Sequence, residues 1–199
     1  MRIDDRGERK RIILEPGEYH VSNQNVILST LLGSCVSACL YDPVKRIIGM
    51  NHFLLSNKRY ARNMPVCVTE AGRYGIHSME LLINEMLKLG AKKANLKAKA
   101  FGGGNVLKFE ATHDNFFCVG DVNSKFIREF LELENIPLVT SDLGGDRGRV
   151  IYFSPVDYSV YVRKIQQTSS TQVAKKERKY WRNSVEKQEK EKESADIWG

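Results

Sequence analysis

Two segments with the pattern of β-strands flank the dipeptide Asp42-Pro43, and this arrangement limits the fold more than any other feature of the chain. Residues 35–41 alternate between the two faces of an extended strand: Val36, Ala38 and Leu40 on an apolar face, and Cys35, Ser37 and Cys39 on the other. Residues 46–55 are again largely apolar, and a polar residue followed by proline is typical of a turn. The segment 35–55 is therefore predicted to form an antiparallel β-hairpin.

Further strands and two amphipathic helices are predicted around this hairpin. Apolar, partly β-branched segments predict strands at 26–32, 95–101, 138–140, 149–153 and 159–165. Residues 71–89 carry apolar side chains along one helical face and are followed by Gly90, and residues 124–134 repeat this pattern after Asn123, the expected N-cap. Because hairpins outnumber crossover helices, these elements favour an α+β fold with a largely antiparallel sheet.

The composition fits one folded domain with a charged tail. The chain has 199 residues, of which 42% are hydrophobic, and no apolar run is long enough to span a membrane or to form a secretory signal. Four cysteines without CxxC pairs indicate free thiols in the cytoplasm. The formal charge of +7 comes without the basic stripe of a nucleic-acid-binding protein. We expect a mobile N-terminus at 1–10, a folded domain at 11–167, and a disordered or transiently helical tail at 168–199.

The sequence Gly33-Ser34-Cys35 places a cysteine directly after a break between two predicted strands. A tight turn of this kind exposes a nucleophile and leaves nearby backbone N–H groups, here those around Gly33 and Ser34, free to bind an oxyanion. A thiol is only slightly ionised at neutral pH and needs a base. His52 lies on the second strand of the predicted hairpin, where it can approach Cys35, although the spacing alone does not fix the register.

Other interpretations of these residues stay open from the spacing alone. A cysteine in an apolar strand is commonly a small core residue, and a histidine on a strand is commonly a hydrogen-bonded structural residue. A zinc site made of Cys35, Cys39 and His52 is conceivable, but Cys-x3-Cys on a strand lacks the usual ligand spacing and a fourth ligand is not evident. We therefore expect no metal.

Six motifs in family order make the chain resemble the chemoreceptor glutamine deamidase family, CheD. They lie within residues 14–165 and are Leu31-Leu-Gly-Ser-Cys-Val36 with Leu40-Tyr-Asp-Pro43, Ile48-Gly-Met-Asn-His-Phe53, Arg73-Tyr-Gly75, Lys99-Ala-Phe-Gly-Gly-Gly104, Gly120 with Asn123, and Asp142-Leu-Gly-Gly-Asp-Arg-Gly-Arg149. The resemblance implies a layered β-sandwich with helices packed outside, related to the catalytic domain of the cytotoxic necrotizing factor toxins. It also implies that Cys35 and His52 form a catalytic pair with an upstream threonine. Thr30 keeps that residue type, and the adjacent Ser29 is the alternative.

In this family the reaction is the hydrolysis of glutamine side-chain amides on methyl-accepting chemotaxis receptors. The resemblance therefore implies a thioester on Cys35, glutamate as the product, and no cofactor. It implies the cytoplasmic domains of chemoreceptors as partners, with a CheC-type phosphatase as a further partner. A binding module that only regulates such a phosphatase is the alternative function, and the intact Cys–His pair favours the enzyme.

Overall fold

The computed structural model describes residues 1–5, 10–55, 65–106 and 119–180, together with Asn183. The strands in these ranges are β1 (Arg2–Asp4), β2 (Arg11–Leu14), β3 (Tyr19–Ser22), β4 (Ile27–Leu32), β5 (Val36–Asp42), β6 (Ile47–Asn51), β7 (Lys97–Gly102), β8 (Leu138–Leu143), β9 (Arg149–Phe153) and β10 (Val160–Lys164). The α-helices are α1 (Glu70–Lys88), α2 (Val119–Leu133) and α3 (Gln167–Tyr180).

These strands form two five-stranded sheets. The strand order is β1-β2-β4-β9-β10 in the first sheet and β3-β6-β5-β7-β8 in the second. Neighbouring strands are antiparallel except in the pairs β2–β4 and β7–β8. The predicted hairpin consists of β5 and β6, in which Cys39 lies opposite Met50. The predicted α+β sandwich with largely antiparallel sheets is therefore confirmed for the described part of the chain.

Buried side chains form one core between the two sheets and another between the second sheet and helices α1 and α2. Val36, Ala38 and Leu40 of β5 pack toward the helices, whereas Cys35 and Cys39 belong to the core between the sheets. The whole of β5 is buried, so the face with the cysteines is not solvent-facing. Since burying each large apolar side chain stabilises the fold by about 1.5–3 kcal/mol, packing on two sides holds this strand and Cys35 in place.

Helix α1 begins and ends close to the predicted bounds, whereas α2 ends close to its predicted bound but begins five residues earlier. Thr69 caps α1 by accepting a hydrogen bond from Gly72 N at 3.1 Å, and Gly90 follows its end with φ of 103°. The prediction of Asn123 as the N-cap of the second helix is wrong, because α2 starts at Val119 and Asn123 lies buried inside it. The physical reason is that the Asn123 side chain bonds to the backbone of Ser34, just before β5, and of Leu55, beyond β6, rather than to its own helix.

Both ends of the chain contain regular structure. Residues 2–4, within the segment expected to be mobile, pair with β2 as an edge strand, and Asp4 forms an ion pair with Arg11. Residues 167–180, at the start of the tail expected to be disordered or transiently helical, form α3, on which Val173 and Glu177 are buried. Residues 6–9 and the tail beyond 180, apart from Asn183, lie outside the described residues. Within the described ranges, no helix is both long and apolar enough to cross a membrane.

Candidate active site

Three buried side chains from distant parts of the sequence converge at the start of β5. One ligand-type atom from each of Cys35, His52 and Glu177 lies within 4.8 Å of the other two. Their residues are 0%, 1% and 3% exposed. The structure thus brings together the predicted pair, Cys35 and His52, and adds a carboxylate that no sequence pattern indicates.

The register of the β5–β6 hairpin explains why the cysteine and the histidine meet. Val36, the first residue of β5, and Phe53, two residues beyond the end of β6, exchange backbone hydrogen bonds of 3.0 and 2.9 Å. This pairing continues the register of Cys39 with Met50, so Ser37 lies opposite His52. Cys35 is two residues from Ser37 and is therefore the diagonal neighbour of His52 on the same face.

The hydrogen bonds of Thr30 define which ring nitrogen of His52 carries the proton. Thr30 Oγ1 donates to the carbonyl oxygen of Leu14 at 2.7 Å and lies 2.7 Å from His52 Nδ1. Because the hydroxyl has one proton and gives it to Leu14, Nδ1 must carry a proton and donate to Thr30. The other nitrogen, Nε2, is then an unprotonated acceptor, and it is buried without a hydrogen-bond partner among the described residues. Of the two candidates in the sequence, Thr30 is therefore the one that contacts His52.

The backbone of His52 is held by the turn at Pro16-Gly17. Glu18 N donates to Glu15 O at 3.1 Å and Gly17 has φ of 84°, which is the geometry of a type II turn. Gly17 N donates to His52 O at 2.7 Å, and His52 N donates to Glu18 O at 2.9 Å. The turn that leaves β2 therefore fixes the backbone of His52, while Thr30 holds its imidazole ring.

Three successive backbone N–H groups form an anion-binding site next to Cys35. Gly33 N and Ser34 N donate to the two oxygens of the Glu177 carboxylate at 2.7 and 2.8 Å, and Cys35 N lies 3.3 Å from Glu177 Oε1. Ser34 Oγ adds a hydrogen bond of 2.7 Å. We call the N–H groups of residues 33–35 the N–H cradle. Successive N–H groups that converge in this way bind anions, so the oxyanion site predicted around Gly33 and Ser34 holds a carboxylate here.

The peptide groups of the N–H cradle are oriented by hydrogen bonds to their carbonyl oxygens. Gly103 N donates to the carbonyl oxygen just beyond the cradle, Cys35 O, at 2.8 Å. Within the cradle, Gly104 N donates to Gly33 O at 2.7 Å and Asn123 Nδ2 donates to Ser34 O at 2.8 Å. Because the C=O and the following N–H of a peptide point in opposite directions, holding these carbonyls turns the N–H groups of Ser34 and Cys35 toward Glu177. A side chain at Gly102 would collide with the carbonyl oxygen of Cys35, which explains the glycine there.

The motif from Asp142 to Arg149 holds the triglycine segment, residues 102–104, through backbone hydrogen bonds. Gly144 N donates to Gly102 O at 2.9 Å, and Asn105 N donates to Gly145 O at 2.7 Å. Arg149 is 1% exposed, pairs with the Asp142 carboxylate at 2.9 Å and also donates to the carbonyl oxygens of Asp142 and Gly144. The buried guanidinium thus fixes the loop on which the triglycine segment rests.

The protonation of the pair follows from its burial. Burial raises the pKa of the Cys35 thiol well above its ordinary value, and the nearby negative charge of Glu177 raises it further. Burial also lowers the pKa of His52, which the charges of Glu177, Glu15 and Glu18 offset only in part. With α3 in place, Cys35 is therefore a neutral thiol and His52 a neutral imidazole at neutral pH, rather than an ion pair.

Cys35, His52 and Glu177 could in principle bind a metal ion, because each offers one ligand atom. The zinc site considered from the sequence used Cys39 instead of Glu177. The carboxylate oxygens already accept four hydrogen bonds from the N–H cradle and Ser34 Oγ. Since a carboxylate has about four acceptor positions, a metal would have to displace these bonds. The arrangement favours proton transfer and anion binding over metal binding.

Two residues of the site cannot be recognised as such from the sequence. Asn123 belongs to one of the family motifs, but its spacing indicates only a helix cap. Glu177 stands in a segment rich in lysine and glutamate, where nothing distinguishes it from solvent-exposed neighbours. Glu177 reaches the N–H cradle only because α3 docks beside it.

Comparison with known proteins gives the family of this α+β sandwich. The family model described as CheD chemotactic sensory transduction matches residues 54–164. A Geobacter sulfurreducens protein named probable chemoreceptor glutamine deamidase CheD 1 is 56% identical over 96% of this chain and 94% of its own length. The Shewanella oneidensis protein named probable chemoreceptor glutamine deamidase CheD 2 is 49% identical over 77% of this chain and 76% of its own length. The chain belongs to the CheD family.

The family model begins after Cys35 and His52, whereas the Geobacter relative aligns with nearly the whole chain. Among solved structures, the crystal structure of Bacillus licheniformis hypothetical protein YfiH aligns with a TM-score of 0.35 and 16% identity, over 62% of this chain and 49% of that chain. That similarity is too low to establish a shared fold.

Proposed function

We propose that this protein is a cysteine-dependent deamidase that converts glutamine side chains of chemoreceptors to glutamate. The observation that carries the proposal is a thiol and an unprotonated imidazole nitrogen placed beside an N–H cradle that holds a carboxylate, the chemical group of the product. The relatives named probable chemoreceptor glutamine deamidase supply the substrate. A cytoplasmic location and binding to a CheC-type phosphatase stay predictions from the family resemblance.

The geometry supports a two-step amide hydrolysis. In the first step the Cys35 thiol gives its proton to His52 Nε2 while Sγ attacks the carbon of the glutamine carboxamide. The carbonyl oxygen becomes an oxyanion and is stabilised by the N–H cradle. The C–N bond then breaks, ammonia leaves with the proton from Nε2, and a thioester remains on Cys35.

In the second step His52 Nε2 takes a proton from a water molecule, which attacks the thioester carbon. The C–S bond breaks, the proton on Nε2 returns to Sγ and restores the thiol, and the product loses its carboxylic acid proton to solvent and leaves the N–H cradle as glutamate. Thr30 contributes by keeping the proton on Nδ1, so that Nε2 stays available in both steps. The scheme requires no metal and no organic cofactor.

Incubation with the cytoplasmic domain of a chemoreceptor tests this function. Mass spectrometry of receptor peptides should find specific glutamines converted to glutamate, and ammonia should be released in equal amount. Both the wild-type chain and a Glu177→Ala variant, whose N–H cradle is free, should be used. Absence of conversion by both proteins on a set of receptor domains, with correct folding of the enzyme checked by circular dichroism, would contradict the proposal.

Asn123 is expected to act as a positioning residue for the N–H cradle. In Asn123→Asp, Oδ1 can still accept from Leu55 N, but the donor to Ser34 O is replaced by an oxygen that repels it. A misplaced peptide at the cradle should lower kcat by about 10²-fold with a much smaller change in KM, which steady-state kinetics on a receptor domain would measure.

Asn51→Asp is the matched control for this change. Asn51 is equally buried, and its side chain also bridges a backbone N–H, that of Ala38, and a second group, Ser78 Oγ, at 2.9 and 3.1 Å. It makes no hydrogen bond with the cradle peptides in the described structure, so it should lose stability to a similar degree but keep kcat. Equal losses of kcat in both variants would show that Asn123 acts only through stability.

A further inference from the structure

One face of α3 covers the candidate site. Val173, Glu177 and Tyr180 are spaced four and three residues apart, which places them on the same face of a helix, and the first two are buried. Tyr180 packs against the core between the sheets, and its hydroxyl occupies the space where a side chain at Gly17 would lie. We call these three residues the docking face of α3.

The central residue of the docking face is bonded to the catalytic machinery. The Glu177 carboxylate accepts four hydrogen bonds from residues 33–35. It also lies so close to Gly33 that a Cβ there would be 2.9 Å from Oε2 and 3.1 Å from Oε1. Glu177 therefore has the side chain, the position and the hydrogen bonds expected of the glutamate formed by the proposed reaction.

We propose that α3 is a built-in inhibitor of the site, in which Glu177 occupies the N–H cradle as a mimic of the glutamate product. This inference rests on the proposed function for the identity of the product, whereas the closure of the site rests on the contacts of α3 alone. A receptor glutamine enters only when α3 leaves, because the cradle holds one side chain at a time. Cys35 and His52 are buried while α3 is docked.

The composition of α3 makes this closure reversible. Few of its described side chains are apolar anchors, and Lys175, Lys176 and Lys179 are exposed. The carboxylate also disfavours ionisation of the thiol that it covers, since its negative charge adds to the effect of burial on the pKa of Cys35. Undocking of α3 should therefore both open the site and make Cys35 more reactive.

The first test uses the glutamine that the substitution Glu177→Gln introduces. If α3 docks as a product mimic, this side chain is itself a substrate: Sγ bonds to its amide carbon, ammonia leaves, water cleaves the thioester, and Glu177 is regenerated. Intact-peptide mass spectrometry of the purified variant should find residue 177 as glutamate. The double variant Glu177→Gln with Cys35→Ala should retain glutamine, which excludes spontaneous deamidation.

The second test measures how accessible Cys35 is in the full-length chain. Labelling of Cys35 by a small thiol reagent, located by peptide mapping, should be about 10-fold or more faster in Glu177→Ala than in wild type, because the open form is no longer a minor population. Receptor deamidation should rise in parallel. Lys176→Ala, an exposed change on the same helix, should match wild type in both measurements.

The outcomes distinguish a failure of the inhibitory role of α3 from a failure of the proposed deamidase function. Labelling of Cys35 in Glu177→Ala at the wild-type rate would overturn the inhibitory role of α3. Faster labelling with receptor deamidation, but without self-conversion of the glutamine introduced by Glu177→Gln, would overturn the product-mimic geometry. Faster labelling with neither the introduced glutamine nor any receptor glutamine converted would overturn the deamidase function and leave the closure by α3 in place.

Discussion

Replacement of Cys35 by alanine should reduce receptor deamidation by on the order of 10⁴-fold or more, as expected when a hydrolase loses its nucleophile. The N–H cradle and His52 would remain, but neither can form the thioester. The substitution removes one buried atom, and the cost in the free energy of unfolding should be about 1 kcal/mol. Mass spectrometry of a receptor domain measures the first effect, and chemical denaturation measures the second.

Cys39→Ala is the matched control for the nucleophile. Cys39 lies four residues further along the chain, is equally buried and belongs to the same core between the sheets. Burial raises its pKa to about 12, and it is not among the residues that meet at His52. This variant should lose similar stability and keep its activity. The activities should be compared in the Glu177→Ala background as well, so that a docked α3 does not conceal them. Cys35→Ala with near-normal activity would refute the assignment.

The fold could be predicted from local patterns where one element determines its own environment. The alternation at 35–41 and the turn at Asp42-Pro43 defined the hairpin, and the 3.6-residue periodicity defined α1. The burial of both faces of β5 could not be predicted in this way, because Cys35, Ser37 and Cys39 form a less apolar face. That face is covered by the first sheet, whose position depends on contacts between strands far apart in sequence.

The candidate site likewise combines residues that could be predicted from local patterns with residues that could not. Cys35 and His52 could be proposed because a hairpin brings its two strands together, and the resemblance to a known family supplied their roles. Thr30 was favoured over Ser29 only by residue type, and its contact with His52 depends on how β4 passes behind the hairpin. The donors to the carbonyl oxygens of the cradle come from residues 104 and 123, and its occupant comes from residue 177. No local pattern encodes such long-range contacts.

The composition of the tail does not predict the contact that its first helix makes. Its low apolar content predicts weak packing. A helix can nevertheless dock through a single well-bonded carboxylate, since hydrogen bonds to a charged group contribute about 1.5–3 kcal/mol each. The N–H cradle provides several such bonds in one place. A group of N–H donors that binds an anion can therefore also hold an acidic side chain from the same chain, as the N–H cradle holds Glu177.

Replacement of His52 by asparagine should lower deamidation by about 10²-fold or more, the effect of losing a general base. Asparagine keeps a polar side chain of similar size, and its amide can still reach Thr30. The labelling rate of Cys35 near neutral pH should fall in parallel, because no neighbouring imidazole accepts the thiol proton. Labelling and kcat/KM should be measured on one preparation, in wild type and in the Glu177→Ala background.

The pH dependence identifies His52 as the base independently of the size of this loss. The proposed reaction needs a neutral imidazole. While α3 is docked, burial lowers the pKa of His52 below its ordinary value of 6.5 despite the opposing charges of Glu177, Glu15 and Glu18, and when α3 leaves, both the burial and the charge of Glu177 are reduced. Activity of the wild type should therefore fall only as the pH drops below about 6.5, and His52→Asn should lack this acid limb. His20→Asn, a change of another histidine on the neighbouring strand β3, should keep both the rate and the limb. An unchanged acid limb in His52→Asn would mean that another group provides the base.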